Sequence, residues 1–332
     1  MRRMLVLLLS LVFVLSGCAY QAPSEFSRFA PEESRRLIIC TSHSQEVYEP
    51  IVREFEQRTG IWVEIVTGGT TELLEKIASG DNQCDLLFGG GIDSLSAYGD
   101  MFTVYQSPEL ENTVPSMRGN GVWTPFSALP IVLIYNPKLV LFNPPEGWSS
   151  LVDPAWRGKI AFANPAASGS SYTALVTMVQ ALGGEPLVRI TEFHENLDGQ
   201  VLSSSNQVID AVAQGKYFIG VTLEVTAVKG IEEGYDIAMV YPAEGTSIIP
   251  DGAAIVKNCR HEDNAKLFLD YILSEDVQRR LYSTFSRRPV REGLYSPSAS
   301  GLKSLGYDIE WAGSHHTEFL QLWTELSGEA TR

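Results

Sequence analysis

Along residues 36–285, short apolar runs alternate with stretches whose apolar residues recur at helical spacing. RLIIC (36–40), WVEIV (62–66), CDLLF (84–88), PIVLIY (130–135), KIAFA (159–163) and YFIGVTL (217–223) are short and β-branched, and they predict strands. Between them Tyr48, Ile51, Val52 and Phe55 repeat as i, i+3, i+4, i+7, and so do Leu175, Met178, Val179 and Leu182. Ala265, Phe268, Leu269 and Ile272 do the same nearer the C-terminus. Strands alternating with amphipathic helices predict an α/β fold of mostly parallel sheet covered by helices. One local conflict stands out. Ser44 is placed to cap the first helix, yet Pro50 would then lie beyond its first turn, so the helix is expected to start near Glu46 or irregularly.

The chain opens MRRMLVLLLSLVFVLSGCAY, two arginines before an apolar stretch and then Leu15-Ser16-Gly17-Cys18. At roughly a dozen apolar residues this is too short to span a bilayer as a stable helix and predicts a secretory signal. The small residues before the cysteine fit a lipobox, with residues 1–17 removed, Cys18 acylated and residues 18–34 a polar tether. A lipid anchors without spanning. An extracytoplasmic protein held to the cell membrane follows.

About 300 further residues exceed one compact core and predict two lobes. With 25 basic and 40 acidic residues the net charge is −15, and removing residues 1–17 takes away two arginines and no acid. Such a surface argues against nucleic acid and against a basic membrane-binding face. Cys40, Cys84 and Cys259 match no zinc spacing and are expected to be buried structural thiols.

Ligands of open α/β sheets sit beyond the carboxyl ends of strands, where loops enter helices. Four loops there are rich in glycine and hydroxyls: Thr41-Ser42-His43-Ser44, Thr67-Gly68-Gly69-Thr70-Thr71, Gly89-Gly90-Gly91, and Asn164-Pro165 followed by Ser168-Gly169-Ser170-Ser171. Any one could be plain N-capping, since Ser and Thr are preferred caps. Together they predict a cleft that receives an anion at helix N-termini. The serines are not expected to be nucleophiles. S-G-S-S-Y is not the G-x-S-x-G elbow, and none of His43, His194, His261, His315 and His316 has a triad-like context. H-E-x-x-H, Walker and G-x-G-x-x-G motifs are missing too. No enzyme activity, cofactor or metal is expected.

The stretches LIICTSHSQEVYEPIVREFEQRTGIWVEIVTGGTTELLEKI, CDLLFGGGIDSL, WTPFSALPIVLIYN, GWSSLVDPAWRGKIAFANPAASGSSYTAL and VYPAEGTSIIPDGAAIVK, with Thr59-Gly60-Ile61-Trp62-Val63 among them, carry a resemblance. The chain resembles the solute-binding lipoproteins of ABC importers, in the branch with ferric-ion, sugar-phosphate, aminoethylphosphonate and phosphoglycerate-regulatory binding proteins. The resemblance implies a type II periplasmic-binding fold with two hinge crossovers, near Ser127–Leu133 and Met239–Gly245. It places 35–130 in lobe 1, 131–240 in lobe 2, and 241–332 back on lobe 1 with the C-terminal helices. It implies a monomer that closes on its solute, with an ABC permease and its ATPase as partners. A sensor feeding a histidine kinase is the alternative, as is a ferric-ion carrier. The iron proteins of the branch use two adjacent tyrosines after the strand written here as YFIGVTL, whereas this sequence reads Val221-Thr222-Leu223-Glu224-Val225. A phosphate- or phosphonate-bearing solute fits better, with Ser42, His43, Gly69, Thr70, Ser127, Ser168, Ser170 and Ser171 around it. Glu224 and Glu244 are expected to accept hydrogen bonds from the rest of the ligand.

Overall fold

The structure is a computed structural model, and it describes residues 31–80, 84–294 and 301–328. Cys18 and the leader lie outside the described residues.

From Ser34 onward the chain forms one unit. Its strands are β1 (Arg36–Thr41), β2 (Trp62–Thr67), β3 (Leu86–Gly91), β4 (Phe102–Thr103), β5 (Thr124–Tyr135), β6 (Ile160–Ala161), β7 (Ile219–Leu223), β8 (Ala238–Val240), β9 (Ile248–Val256) and β10 (Arg288–Pro289). They make one sheet in the order β2-β1-β3-β9-β5-β7-β6, with β4 on β9 and with β8 and β10 on β5. Pairing is parallel in β2-β1-β3 and in β6-β7. It is antiparallel through β9 and β5, where the halves join.

β5 explains the two-lobed plan. Thr124–Pro130 pair with β9, and Ile131–Tyr135 pair with β7, so one long strand changes partners between Pro130 and Ile131. The return runs from β8, which pairs with Leu133–Tyr135 in the second half of β5, to β9, which pairs with the first half. Pro130 and Pro250 are the residues at this junction, and proline cannot donate to a ladder.

The helices are α1 (Gln45–Thr59), α2 (Thr70–Ala78), α3 (Ile92–Ala97), α4 (Ser149–Val152), α5 (Gly169–Leu182), α6 (Pro186–Asn196), α7 (Asn206–Ala213), α8 (Glu224–Glu232), α9 (Glu262–Leu273), α10 (Glu275–Phe285), α11 (Ile309–Ser314) and α12 (His316–Leu326). α1 buries Ile51, Val52 and Phe55, as its period requires, and Gly60 ends it with φ 69°. The helix starts at Gln45 after Ser44, whose carbonyl takes both Val47 and Tyr48 N–H at 2.9 and 3.2 Å, a sharing common at helix ends, and Pro50 is accommodated inside the helix.

One core joins Leu37, Ile39, Phe55, Phe88, Phe126 and Phe268 on the β1 side. Another joins Leu133, Trp148, Phe162, Tyr172, Phe193 and Trp323 on the β7 side. Truncating a buried phenylalanine such as Phe55 or Phe162 to alanine would cost about 3–5 kcal/mol. The C-terminal segment divides between the halves. α9 and α10 bury Phe268, Val277 and Leu281 in the first core, but Phe319 and Trp323 of α12 belong to the second. α12 lies on α6, so the expectation that every late helix returns to lobe 1 fails for α12. Its apolar face, Phe319 with Trp323, finds Phe193 and Phe162 instead.

Cys40 and Cys84 are joined in a disulfide, Cα–Cα 5.7 Å, where the sequence pointed to separate thiols. Cys40 ends up beside the start of β3 because β1 and β3 are neighbours in the sheet. Cys259 is free, and burial with Asp85 nearby pushes its thiol up to about 11.

Candidate functional site

A cleft of about 1620 Å³ opens between the halves of the sheet. The carboxyl ends of β3 and β7 and the segments that follow β1, β2 and β6 all reach it, as the carboxyl-end rule predicts. Two helix N-termini face each other across it. α2 starts after Gly69, with Thr70 and Thr71 in its first turn, and α5 starts after Ser168, with Gly169, Ser170 and Ser171 in its first turn. They come so close that a Cβ on Gly69 would lie 3.3 Å from the Ala167 carbonyl oxygen, and one on Gly169 would lie 3.3 Å from the Thr70 Cβ. Both dipoles therefore point their positive ends at one region.

Ser168 caps α5, its Oγ accepting from Ser171 N–H at 3.4 Å and lying 3.1 Å from Ser170 Oγ. Ser42, His43, Gly69, Thr70, Ser168 and Ser170 line the cleft. Ser127, Ser171, Glu224 and Glu244 do not. Ser171 is buried behind the first turn of α5. Glu224 starts α8 but turns away to a bidentate pair with Arg288 at 2.6 and 2.8 Å and also accepts from Tyr241. Glu244 accepts from Trp148 and Ser149 N–H at 3.1 and 3.0 Å, in space left by the missing side chain of Gly147.

Ser127 belongs to a buried network beneath the cleft. Its N–H and Oγ donate to Asp251 Oδ1 at 2.9 and 2.7 Å, and Arg287 Nε donates to its Oγ at 2.9 Å. Arg287 Nη2 bonds Asp251 Oδ2, completing an ion pair whose side chains are only 8% and 2% exposed. Asp251 and Arg287 do line the cleft, and the sequence reading missed both. The available signal was weak: a lone Asp between Pro250 and Gly252 in an otherwise apolar run, and Arg287-Arg288 just past a helix.

His43 sits on this floor, its side chain 6% exposed. Thr41 positions it, donating its Oγ1–H to the Phe88 carbonyl at 2.6 Å while accepting from His43 N–H at 3.1 Å. The ring packs against Phe88 and Phe126. Burial lowers it to about 4 against the pull of Asp251, so the imidazole is neutral at pH 7. Gly89 and Gly90, φ 113° and 96°, carry β3 past these groups. A Cβ on Gly89 would lie 2.7 Å from Ser42 Oγ and 3.2 Å from His43 Nε2, and one on Gly90 would lie 2.6 Å from Thr70 Cγ2. The glycines thus allow close packing, which was legible only as a Gly-rich run.

Further bonds tie the walls together. Asp93 of α3 accepts from Thr173 of α5 at 2.8 Å and from Tyr307 at 2.6 Å, and burial raises its carboxyl pKa. At the mouth Lys229 of α8 pairs with Glu46 of α1. Among the described residues no group of three or more His, Cys, Asp or Glu could hold a metal ion, and no helix is long and apolar enough to cross a membrane.

Residues 100–308 match the bacterial extracellular solute-binding proteins. The chain belongs to that family. Iron uptake protein A1 of Synechocystis is 26% identical over 303 residues, 85% of this chain and 82% of that one. A Salmonella typhimurium protein named for 2-aminoethylphosphonate binding is 20% identical over 287 residues, 84% of each chain. The structure resembles the periplasmic binding protein AfuA from Actinobacillus pleuropneumoniae with fructose-6-phosphate bound. The TM-score is 0.80 at 25% identity, over 89% of this chain and 99% of that one. The fold is that of the type II periplasmic binding proteins, and the protein is the solute-binding component of an importer.

Proposed function

We propose that this solute-binding protein captures a small phosphate- or phosphonate-bearing solute outside the membrane and delivers it to an ABC permease. The observation that carries the reading is the meeting of the α2 and α5 N-termini in one cleft, with Thr70, Ser168 and Ser170 beside them. Unpaired amides and the two dipoles stabilise an anion without a nearby excess of positive charge, which suits a chain of net charge −15. The relatives point both ways, to phosphorylated or phosphonate ligands and to iron. Among the described residues the cleft lining contains no tyrosine, and so none of the phenolate oxygens that would suit a hard ferric ion. Among the described residues of the site no nucleophile is paired with a base, which favours binding over turnover.

Ser170 tests the reading. Ser170→Ala should weaken binding of a phosphate-bearing solute about tenfold, one charge-assisted bond being worth about 1.5–3 kcal/mol. Ser170→Asp should abolish binding by repulsion while α5 stays folded, because an acid in the first turn suits the dipole. Titration calorimetry with phosphate monoesters measures both, and an Ser170→Asp protein that binds like wild type would remove the anion from this site.

We also propose that Cys18 carries the lipid that holds the protein at the membrane. Cys18→Ser should move it from the membrane pellet to the soluble extracytoplasmic fraction, and retention after a salt wash would refute the anchor.

A further inference from the structure

We propose that His43, Asp251 and Arg287 form a second subsite on the cleft floor that holds an uncharged, hydroxyl-bearing part of the solute. This rests on the anion reading above and narrows it: the solute is a phosphate or phosphonate ester of a small polyol, bound at two places by different chemistry.

Unspent hydrogen-bonding capacity is the first ground. The buried Nε2 of His43 has no hydrogen-bond partner among the described residues, lying 3.4 Å from Asp251 Oδ2 but outside bonding geometry. A buried polar atom left unsatisfied costs about 1–3 kcal/mol, and such an orphan on a cleft wall marks a place for a ligand atom. Arg287 commits Nε to Ser127 and Nη2 to Asp251, leaving Nη1 without a protein partner among the described residues while the residue lines the cleft.

Arg287 is also aimed at a cost. α10 ends with Ser286 in the left-handed region, φ 52°, where glycine is the usual choice, and Arg287 N–H closes back on the Leu281 carbonyl at 2.8 Å. The guanidinium lies 5.7 Å from the Phe126 ring centroid.

Charge decides what is bound. Asp251 and Arg287 cancel, and burial keeps His43 neutral, so the floor has donors and acceptors but no net charge. A second anionic group would meet the Asp251 carboxylate, and an ammonium would meet Arg287. A hydroxyl, which both donates and accepts, suits all three side chains. The two subsites are adjacent, because consecutive glycines touch them: Gly89 lies against His43 and Gly90 against Thr70. Consecutive Cα atoms are about 3.8 Å apart, so one small molecule can reach both.

His43→Phe keeps the aromatic packing against Phe88 and Phe126 and removes both nitrogens, and His43→Gln restores polar capacity should the phenylalanine variant fold poorly. Binding is measured by calorimetry for ethyl phosphate, glycerol 3-phosphate and fructose 6-phosphate. Wild type should bind at least one hydroxylated ester about tenfold or more tighter than ethyl phosphate. His43→Phe should erase that preference while leaving ethyl phosphate affinity within about threefold, and His43→Gln should retain part of it. If wild type binds all three esters alike, or His43→Phe weakens all three equally, the floor subsite is wrong and the anion site stands. If wild type binds none of them, the anion reading itself fails and takes this proposal with it.

Discussion

Replacing Asp251 with Asn keeps the shape of the side chain and removes its charge, leaving Arg287 buried beside Phe126 with no counter-ion. Breaking a buried ion pair from one side costs about 3–5 kcal/mol, because the remaining charge is uncompensated. The two bonds from Ser127 to Asp251 Oδ1 persist if the amide oxygen takes that place, but they lose their charge assistance. A loss of about 4 kcal/mol is a large fraction of the 5–15 kcal/mol typical of a folded domain. Urea unfolding followed by far-UV circular dichroism should show a lower midpoint with an unchanged slope. Arg287→Met, alone and combined with Asp251→Asn, completes the cycle, and the double variant should be more stable than the two single losses predict by about 1–3 kcal/mol. A loss below about 1 kcal/mol for Asp251→Asn, or strict additivity in the cycle, would refute the claim that these groups form a buried coupled pair.

Cys40–Cys84 closes a loop across 44 residues of sequence, so its loss as a double alanine variant should destabilise by about 4 kcal/mol on chain entropy; an unchanged urea midpoint on reduction would show that the bond does no such work. Acid should weaken folding between about pH 6.5 and 4, because His43 and His316 are each held near 4 by burial, neutral when folded and charged when unfolded. Their contribution is complete above pH 6.5 and is lost as the pH falls toward 4, about 3 kcal/mol each at most. Asp93 works the other way, its raised carboxyl pKa making ionisation costly at neutral pH and relieved as the pH drops. His43→Phe with His316→Phe should therefore flatten the acid limb of a stability–pH curve, and an unchanged limb would exclude these histidines as its cause.

How much of this could be read from the sequence depended on whether a residue acts locally. Helical spacing found Phe55, Leu175 and Phe268 on buried faces, and the strand-end rule found Ser42, Gly69, Thr70, Ser168 and Ser170 at the cleft, because caps and strand ends are decided within a few residues. Glu224 shows where that logic stops. An acid at the start of a helix that follows a strand should face the cleft, but Arg288, 64 positions later, draws it aside with two bonds. The same distance hid the floor, since Ser127, Asp251 and Arg287 meet only after β5 pairs with β9 and α10 has turned back. Residues at a helix start that faces a cleft leave a mark in sequence, because the cap and the loop that carries it are the same segment. Residues that cancel one another's charge leave none, because each is the other's reason for being there. His43 lies between the two cases: its loop was visible, but its unpaired Nε2 acquires meaning only beside an Asp–Arg pair from another part of the chain. A binding protein specific for the body of its ligand as well as for its charge would divide its site in this way, with the anion read by local segments and the remainder by side chains that the fold brings together.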